Sequence, residues 1–132
     1  MPPADTGGCL DILLVEDDDL VRDCLAEALA DAGLSIEGIA SAEAAMVMIN
    51  GGHHPGVIVT DINLGAGMDG LAFARAARAA CPGLPIVFIS GRYPELRGMS
   101  AAERFLAKPF NTPALLRAID DVKAACRAEQ PA

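Results

Sequence analysis

A chain of 132 residues fits one domain, and a chain of this length buries a sizeable core without disulfide or metal staples. With 52% apolar residues it is expected to pack rather than stay disordered. Eighteen acidic residues against ten basic ones leave a net charge of -8, which argues against nucleic-acid binding and suits divalent cations or a basic protein partner.

Residues 1–9 are rich in Pro and Gly and read as a flexible tail. Leu10 to Val15, apolar at every position but Asp11, reads as a buried strand, and it stops at Glu16-Asp17-Asp18-Asp19. Asp18 or Asp19 is placed to cap a helix in which Leu20, Val21, Cys24, Leu25, Ala28 and Leu29 recur at helical spacing as far as about Ala32, with Gly33 as its stop. Leu34 to Ile39 is a weaker strand. Ser41 can cap a helix with Ala45, Met46 and Ile49 on one face, and Gly51-Gly52-His53-His54-Pro55 marks a turn. Val57 to Thr60 is a second strong strand run, ending at Asp61. A Gly-rich loop leads to a helix over about Gly70 to Ala80, with Asp69 as its cap. Pro85 to Ile89 is a third strand run, ending at Ser90. Pro94 and Gly98 interrupt residues 91–102, leaving room for a short helix at most. Phe105-Leu106-Ala107 is a short strand before Lys108-Pro109. Thr112 is expected to cap the last helix, with Pro113 in the first helical position and Leu115, Ile119, Val122 and Cys126 along one apolar stripe. Five strands alternating with four clear helices and a doubtful fifth predict an α/β fold, a parallel sheet with helices on both faces. The expected domain covers residues 10–128, with a short tail at 129–132.

The four cysteines, Cys9, Cys24, Cys81 and Cys126, contain no C-x-x-C pair and lie apart from His53 and His54, so they carry no zinc signature. They are expected to be reduced, mostly buried thiols. The N-terminus lacks a signal-peptide pattern and no apolar run is long enough to span a bilayer, so no membrane association and a cytoplasmic location are expected.

The chemistry lies in the residues at the end of each strand. In open parallel sheets, sites form outside the carboxyl ends of the strands. That rule brings Glu16 and Asp17, Asp61, Ser90 and Lys108 to one edge of the sheet. Clustered carboxylates repel: two like charges 4 Å apart cost about 4 kcal/mol at an effective dielectric near 20. A hard divalent cation such as Mg²⁺ offsets this through oxygen ligands, and with Lys108 it neutralises the three carboxylates. An aspartate beside positive charge is competent to take a phosphoryl group as an acyl phosphate, with Lys108 and Ser90 holding phosphoryl oxygens.

Taken one at a time, these residues have plainer readings. A strand-end acid is often a helix cap, a lone lysine is usually solvated, Asn63 suits a turn, and the two histidines suit a polar loop. It is the combination of Glu16, Asp17 and Asp61 with Lys108 that a structural role does not explain.

These motifs resemble the receiver domains of bacterial two-component response regulators, in the manner of the chemotaxis regulators. Ile12-Leu13-Leu14-Val15-Glu16-Asp17-Asp18 looks like the family's first strand and acidic pair. Val57 to Leu64 followed by Met68-Asp69-Gly70 looks like its phosphoacceptor segment, and Lys108-Pro109-Phe110 resembles its Lys-Pro-Phe motif. The resemblance spans roughly residues 9–127. It implies a flavodoxin-like sheet in the order 2-1-3-4-5. It also implies that Asp61 accepts a phosphoryl group from a histidine kinase or a histidine phosphotransfer protein, changing a surface read by a downstream protein target. Mg²⁺, or alternatively Mn²⁺, would be bound directly by Asp17, Asp61 and the Asn63 backbone carbonyl, with Glu16 acting through water. Ser90 would turn inward on phosphorylation with Phe105 following, Asn63 and Arg92 would tune the acyl-phosphate lifetime, and the Lys108-Pro109 bond is a cis candidate. Such a domain catalyses only its own phosphorylation and hydrolysis, and a monomer or weak dimer is expected, stand-alone or excised from a larger protein.

Two departures matter. The loop Gly65-Ala66-Gly67 lacks the common proline and is a residue longer than usual, and the segment between Ser90 and Lys108 is short, so the fourth helix is expected to be shortened or irregular. Three rivals remain open on the residues alone. A Mg²⁺-dependent phosphotransferase or nuclease-type module would want a carboxylate at position 63. A flavin carrier would want a phosphate loop where Glu16 to Asp19 stand. A degenerate receiver, acting only as a binding module, would have lost some of the site that is intact here.

Overall fold

The computed structural model describes residues 10–64, 69–91 and 103–129, and the side chains of the last helix as far as Ala125. Strand β1 (Leu10–Val15) is followed by α1 (Asp19–Asp31), β2 (Ile36–Ile39), α2 (Ala42–Asn50), β3 (Pro55–Asp61), α3 (Gly70–Ala80), β4 (Ile86–Ser90), β5 (Glu103–Ala107) and α4 (Thr112–Glu129). The five strands form one parallel sheet in the order β2-β1-β3-β4-β5. The segment after Ser90 in which a shortened or irregular helix is expected, beyond Gly91 and including Arg92, lies outside the described residues.

The period of two along each strand sorts the core into two layers. Leu13, Val15, Ile58, Ile86 and Phe88 point to one face, where Ala42, Ala45 and Ile49 of α2 and Phe73, Ala74 and Ala77 of α3 cover them. Ile12, Leu14, Val57, Val59, Val87 and Ile89 point to the other, against Leu29 of α1 and Leu115, Ala118, Ile119 and Val122 of α4. Ile12–Val15, Val57–Val59 and Ile86–Ile89 of the central strands are apolar without a break because both of their faces are covered.

The helix ends follow local rules. Asp18 caps α1 by accepting from the backbone N–H of Leu20 and Val21 at 3.0 and 3.1 Å. Gly33, at φ 91°, ends it with paired bonds from Gly33 N to Ala30 O and from Leu34 N to Leu29 O. Ser41 caps α2 and Asp69 caps α3. At α4 the expectation needs correction. Asn111, not Thr112, is the cap: its Oδ1 accepts from Ala114 N at 2.9 Å, which makes Thr112 the first helical residue and Pro113 the second. Proline is tolerated there because the N–H groups of the first turn have no intrahelical partner.

The cysteine expectation also changes. Cys24 and Cys81 are free, but Cys24 is exposed and Cys81 half-buried, while Cys9 and the Cys126 side chain lie outside the described residues. Cys24 and Leu20 are exposed because α1 carries more apolar surface than the sheet covers, and Leu20 is 72% accessible. They line an open groove of about 600 Å³ with Val21 and Leu25, facing Pro109 and Phe110. No described helix is long and apolar enough to cross a membrane.

Candidate functional site

Register decides what meets at the carboxyl edge of the sheet. Val15 pairs with Thr60, Asp61 with Ile89 and Ser90 with Ala107, so Glu16 just beyond β1, Asp61 and Ser90 at the ends of β3 and β4, and Lys108 just beyond β5 come to one edge of the sheet. The Lys108 backbone N–H donates to Ser90 O at 2.7 Å, extending the β4–β5 pairing to the lysine itself. The Lys108–Pro109 peptide is cis.

The Lys108 Nζ lies 2.7 Å from Asp61 Oδ2 and 3.2 Å from Glu16 Oε1. One ammonium therefore joins the ends of three strands. Asp61 is 6% exposed and its Oδ1 accepts from the Asn63 backbone N–H at 2.9 Å. Glu16 is 1% exposed; its Oε2 accepts from the Asp18 N–H at 3.1 Å. Asp17 is exposed, yet carboxylate oxygens of Glu16, Asp17 and Asp61 all lie within 4.8 Å of one another. Ser90 is buried at the end of β4, in the same row. Phe105 is half-buried in β5, paired with Phe88 and packed on the layer covered by α2 and α3. Asn63 is exposed.

Burial pushes the Glu16 carboxyl above the usual carboxylate range, with the Asp61 charge acting in the same direction, while the Asp18 N–H and Lys108 oppose it. Burial alone would lower the Lys108 ammonium, but its hydrogen bond with Asp61 and the charges of Asp61 and Glu16 outweigh that and hold it above its ordinary value. Both shifts describe a site short of positive charge. The donor set is of hard carboxylate oxygens, which fits Mg²⁺ or Mn²⁺ rather than a soft metal.

Two glycines shape the site, and the motifs at the strand ends point to neither in that role. A Cβ at Gly70 would stand 2.2 Å from Asp61 O and 2.8 Å from Ile62 Cα. The Gly70 N–H donates to Ile62 O at 2.8 Å, so the start of α3 rests directly on the backbone that carries Asp61. Gly38, in β2, lies under the side chain of Arg22. Arg22 is likewise absent from those motifs: Nη1 donates to Glu16 O at 2.9 Å and Nη2 pairs with Asp19 Oδ1 at 2.6 Å. The signal in the sequence is a glycine inside a strand pattern, which marks a close approach.

The response regulator receiver domain profile matches residues 12–120. The C4-dicarboxylate transport transcriptional regulatory protein DctD of Rhizobium meliloti is 32% identical over 123 residues, which is 90% of this chain and 25% of that regulator. The chain thus spans a quarter of that relative's length. Among solved structures, a response regulator receiver protein from Sinorhizobium medicae superimposes with a TM-score of 0.79 at 29% identity, covering 89% of this chain and 97% of that one. The chemotaxis protein CheY4 of Vibrio cholerae does so with a TM-score of 0.75 at 26% identity, covering 86% and 98%. With the sheet order, the acidic cluster and these matches in agreement, the chain belongs to the receiver domain family of two-component response regulators, whose members are signalling switches rather than catalytic enzymes.

Proposed function

We propose that this domain is a phosphorylation-controlled switch in which Asp61 is the phosphoryl acceptor. The observation that carries this reading is the contact of Lys108 Nζ with both Asp61 and Glu16, which places a cation beside a buried strand-end aspartate within a three-carboxylate cluster. A carboxylate oxygen of Asp61 attacks phosphorus in line, the bond from phosphorus to the donor's leaving atom breaks, and the electron pair departs with the donor. The donor is a phosphohistidine of a kinase or a phosphotransfer protein. Mg²⁺, held by Glu16, Asp17, Asp61 and the Asn63 carbonyl, would offset charge on the carboxylates and the phosphoryl oxygens. Lys108 then exchanges part of its contact with Asp61 for a phosphoryl oxygen, and the Ser90 hydroxyl donates to another. Movement of Ser90 and Phe105 would carry the change to the surface that a downstream protein reads. The apolar groove beside Lys108, with Leu20 exposed on its wall, supports approach of the donor protein from the α1 side. Asn63 and Arg92 tune the lifetime of the acyl phosphate.

The test is direct phosphorylation. The full chain is incubated with Mg²⁺ and acetyl phosphate and read by intact mass, alongside Asp61→Ala. One added phosphoryl group on the wild type and none on the variant supports the reading. An unmodified wild type, with acetyl phosphate and with phosphohistidine donors alike, sinks it.

A further inference from the structure

We propose that Arg22 is a positioning residue for the acidic site, fixing the turn that carries Glu16 and Asp17, and that Gly38 is the notch in β2 that admits it. The proposal rests on reading Glu16, Asp17 and Asp61 as a cation site.

Arg22 ties together both ends of the segment from Glu16 to Asp19. Nη1 donates to the Glu16 carbonyl at 2.9 Å and Nη2 reaches Asp19 Oδ1 at 2.6 Å. The pair with Asp19 is an exposed i,i+3 contact, Asp19 being 84% accessible, and contacts of that kind contribute little. The bond to Glu16 is of a different kind. It leaves the helix, reaches six residues back and ends on a main-chain carbonyl, from a side chain only 18% accessible. The Glu16 N–H donates to Ile39 O at 3.0 Å, so Arg22 completes the fixation of the Glu16 peptide groups. The Glu16 side chain is already held, by the Asp18 N–H and by Lys108. Asp17 sits between Glu16 and the capping residue Asp18, so the direction of its carboxylate depends on the peptide planes on either side.

The path of the Arg22 stem explains an otherwise unfavourable residue. A Cβ at Gly38 would lie 3.1 Å from Arg22 Cγ and 3.2 Å from Cδ. Glycine weakens a strand interior, and here it lets a long side chain lie across the strand. The fork of a guanidinium supplies the two divergent donors, which the single ammonium of lysine does not reproduce.

The test is Mg²⁺ binding to the full chain by calorimetry, with phosphorylation by acetyl phosphate measured across Mg²⁺ concentration. Arg22→Met keeps the stem and removes the donors; it is expected to weaken Mg²⁺ binding roughly tenfold, as loss of a ligand-orienting partner does. Its phosphorylation should need more Mg²⁺ while reaching the wild-type rate at saturation. Arg22→Lys should fall between the two. Gly38→Val keeps every hydrogen-bonding group and raises strand propensity, yet should weaken Mg²⁺ binding by displacing the stem. It carries the test should Arg22→Met fail to fold. If the wild type binds Mg²⁺, Asp17→Asn abolishes binding, and folded Arg22→Met and Gly38→Val bind within about twofold of wild type, the clamp is overturned and the cation site stands. If the wild type binds no Mg²⁺, the site reading fails and the clamp falls with it.

Discussion

Lys108 and Asp61, 47 residues apart in sequence, meet at 2.7 Å at the edge of the sheet. Removing the ammonium leaves the three carboxylates to repel one another, two of them buried. Lys108→Met is expected to lower the stability of the metal-free protein by about 1–3 kcal/mol, the range for leaving buried charge unpaired after discounting for the partial exposure of the lysine. Mg²⁺ should restore part of the loss, because it supplies the missing positive charge. Urea unfolding with and without Mg²⁺ measures both, and an equal loss in the two conditions would contradict the account.

Glu16→Gln should act in the opposite sense on the metal-free protein. The Glu16 carboxyl is raised in the folded state, so the fold binds its proton more tightly than the unfolded chain does. Stability from this group is present below its unfolded value and is lost as pH rises through the folded value. At neutral pH the charged Glu16 therefore costs stability, and a neutral glutamine relieves it. The expected result is a higher melting temperature without metal, at roughly 4 °C per kcal/mol for a domain of this size, a flatter pH profile above the carboxylate range, and a smaller upward shift on adding Mg²⁺. Scanning calorimetry across pH reads all three.

Gly70→Ala places a methyl group against Asp61 O and Ile62 Cα, both backbone atoms that cannot rotate away. The start of α3 must shift off the strand end. A loss of about 1–3 kcal/mol or more is expected from this overpacking, with slower phosphorylation because the Asp61 peptide moves. Chemical denaturation and the acetyl phosphate reaction measure the two effects, and a variant as stable as wild type would show that α3 has another way to dock.

Asp18 and Asp19 separate a cap from a surface charge. Asp18→Ala removes the acceptor for Leu20 N and Val21 N and should cost about 0.5–2 kcal/mol. Asp19→Ala loses only an exposed pair and should cost under about 1 kcal/mol. Thermal unfolding of the two side by side is the check.

The sequence by itself determined the five strands and the residues that stand at their ends. Ile12 to Val15, Val57 to Val59 and Ile86 to Ile89 are apolar without alternation, as a strand covered on both faces requires, and Glu16, Asp61 and Ser90 come at or just after the ends of those runs. Tertiary structure decided what depends on which surfaces meet. Asn111 caps α4 in place of Thr112, and Cys24 faces outward although it belongs to the same helical set of apolar residues as Leu29, which is buried. The reach of Arg22 across Gly38 to the Glu16 carbonyl, and the seating of Gly70 on the Asp61 backbone, join elements that no local pattern relates. Periodicity reports which face of an element is buried, whereas a contact between two elements exists only once the sheet register has set their distance.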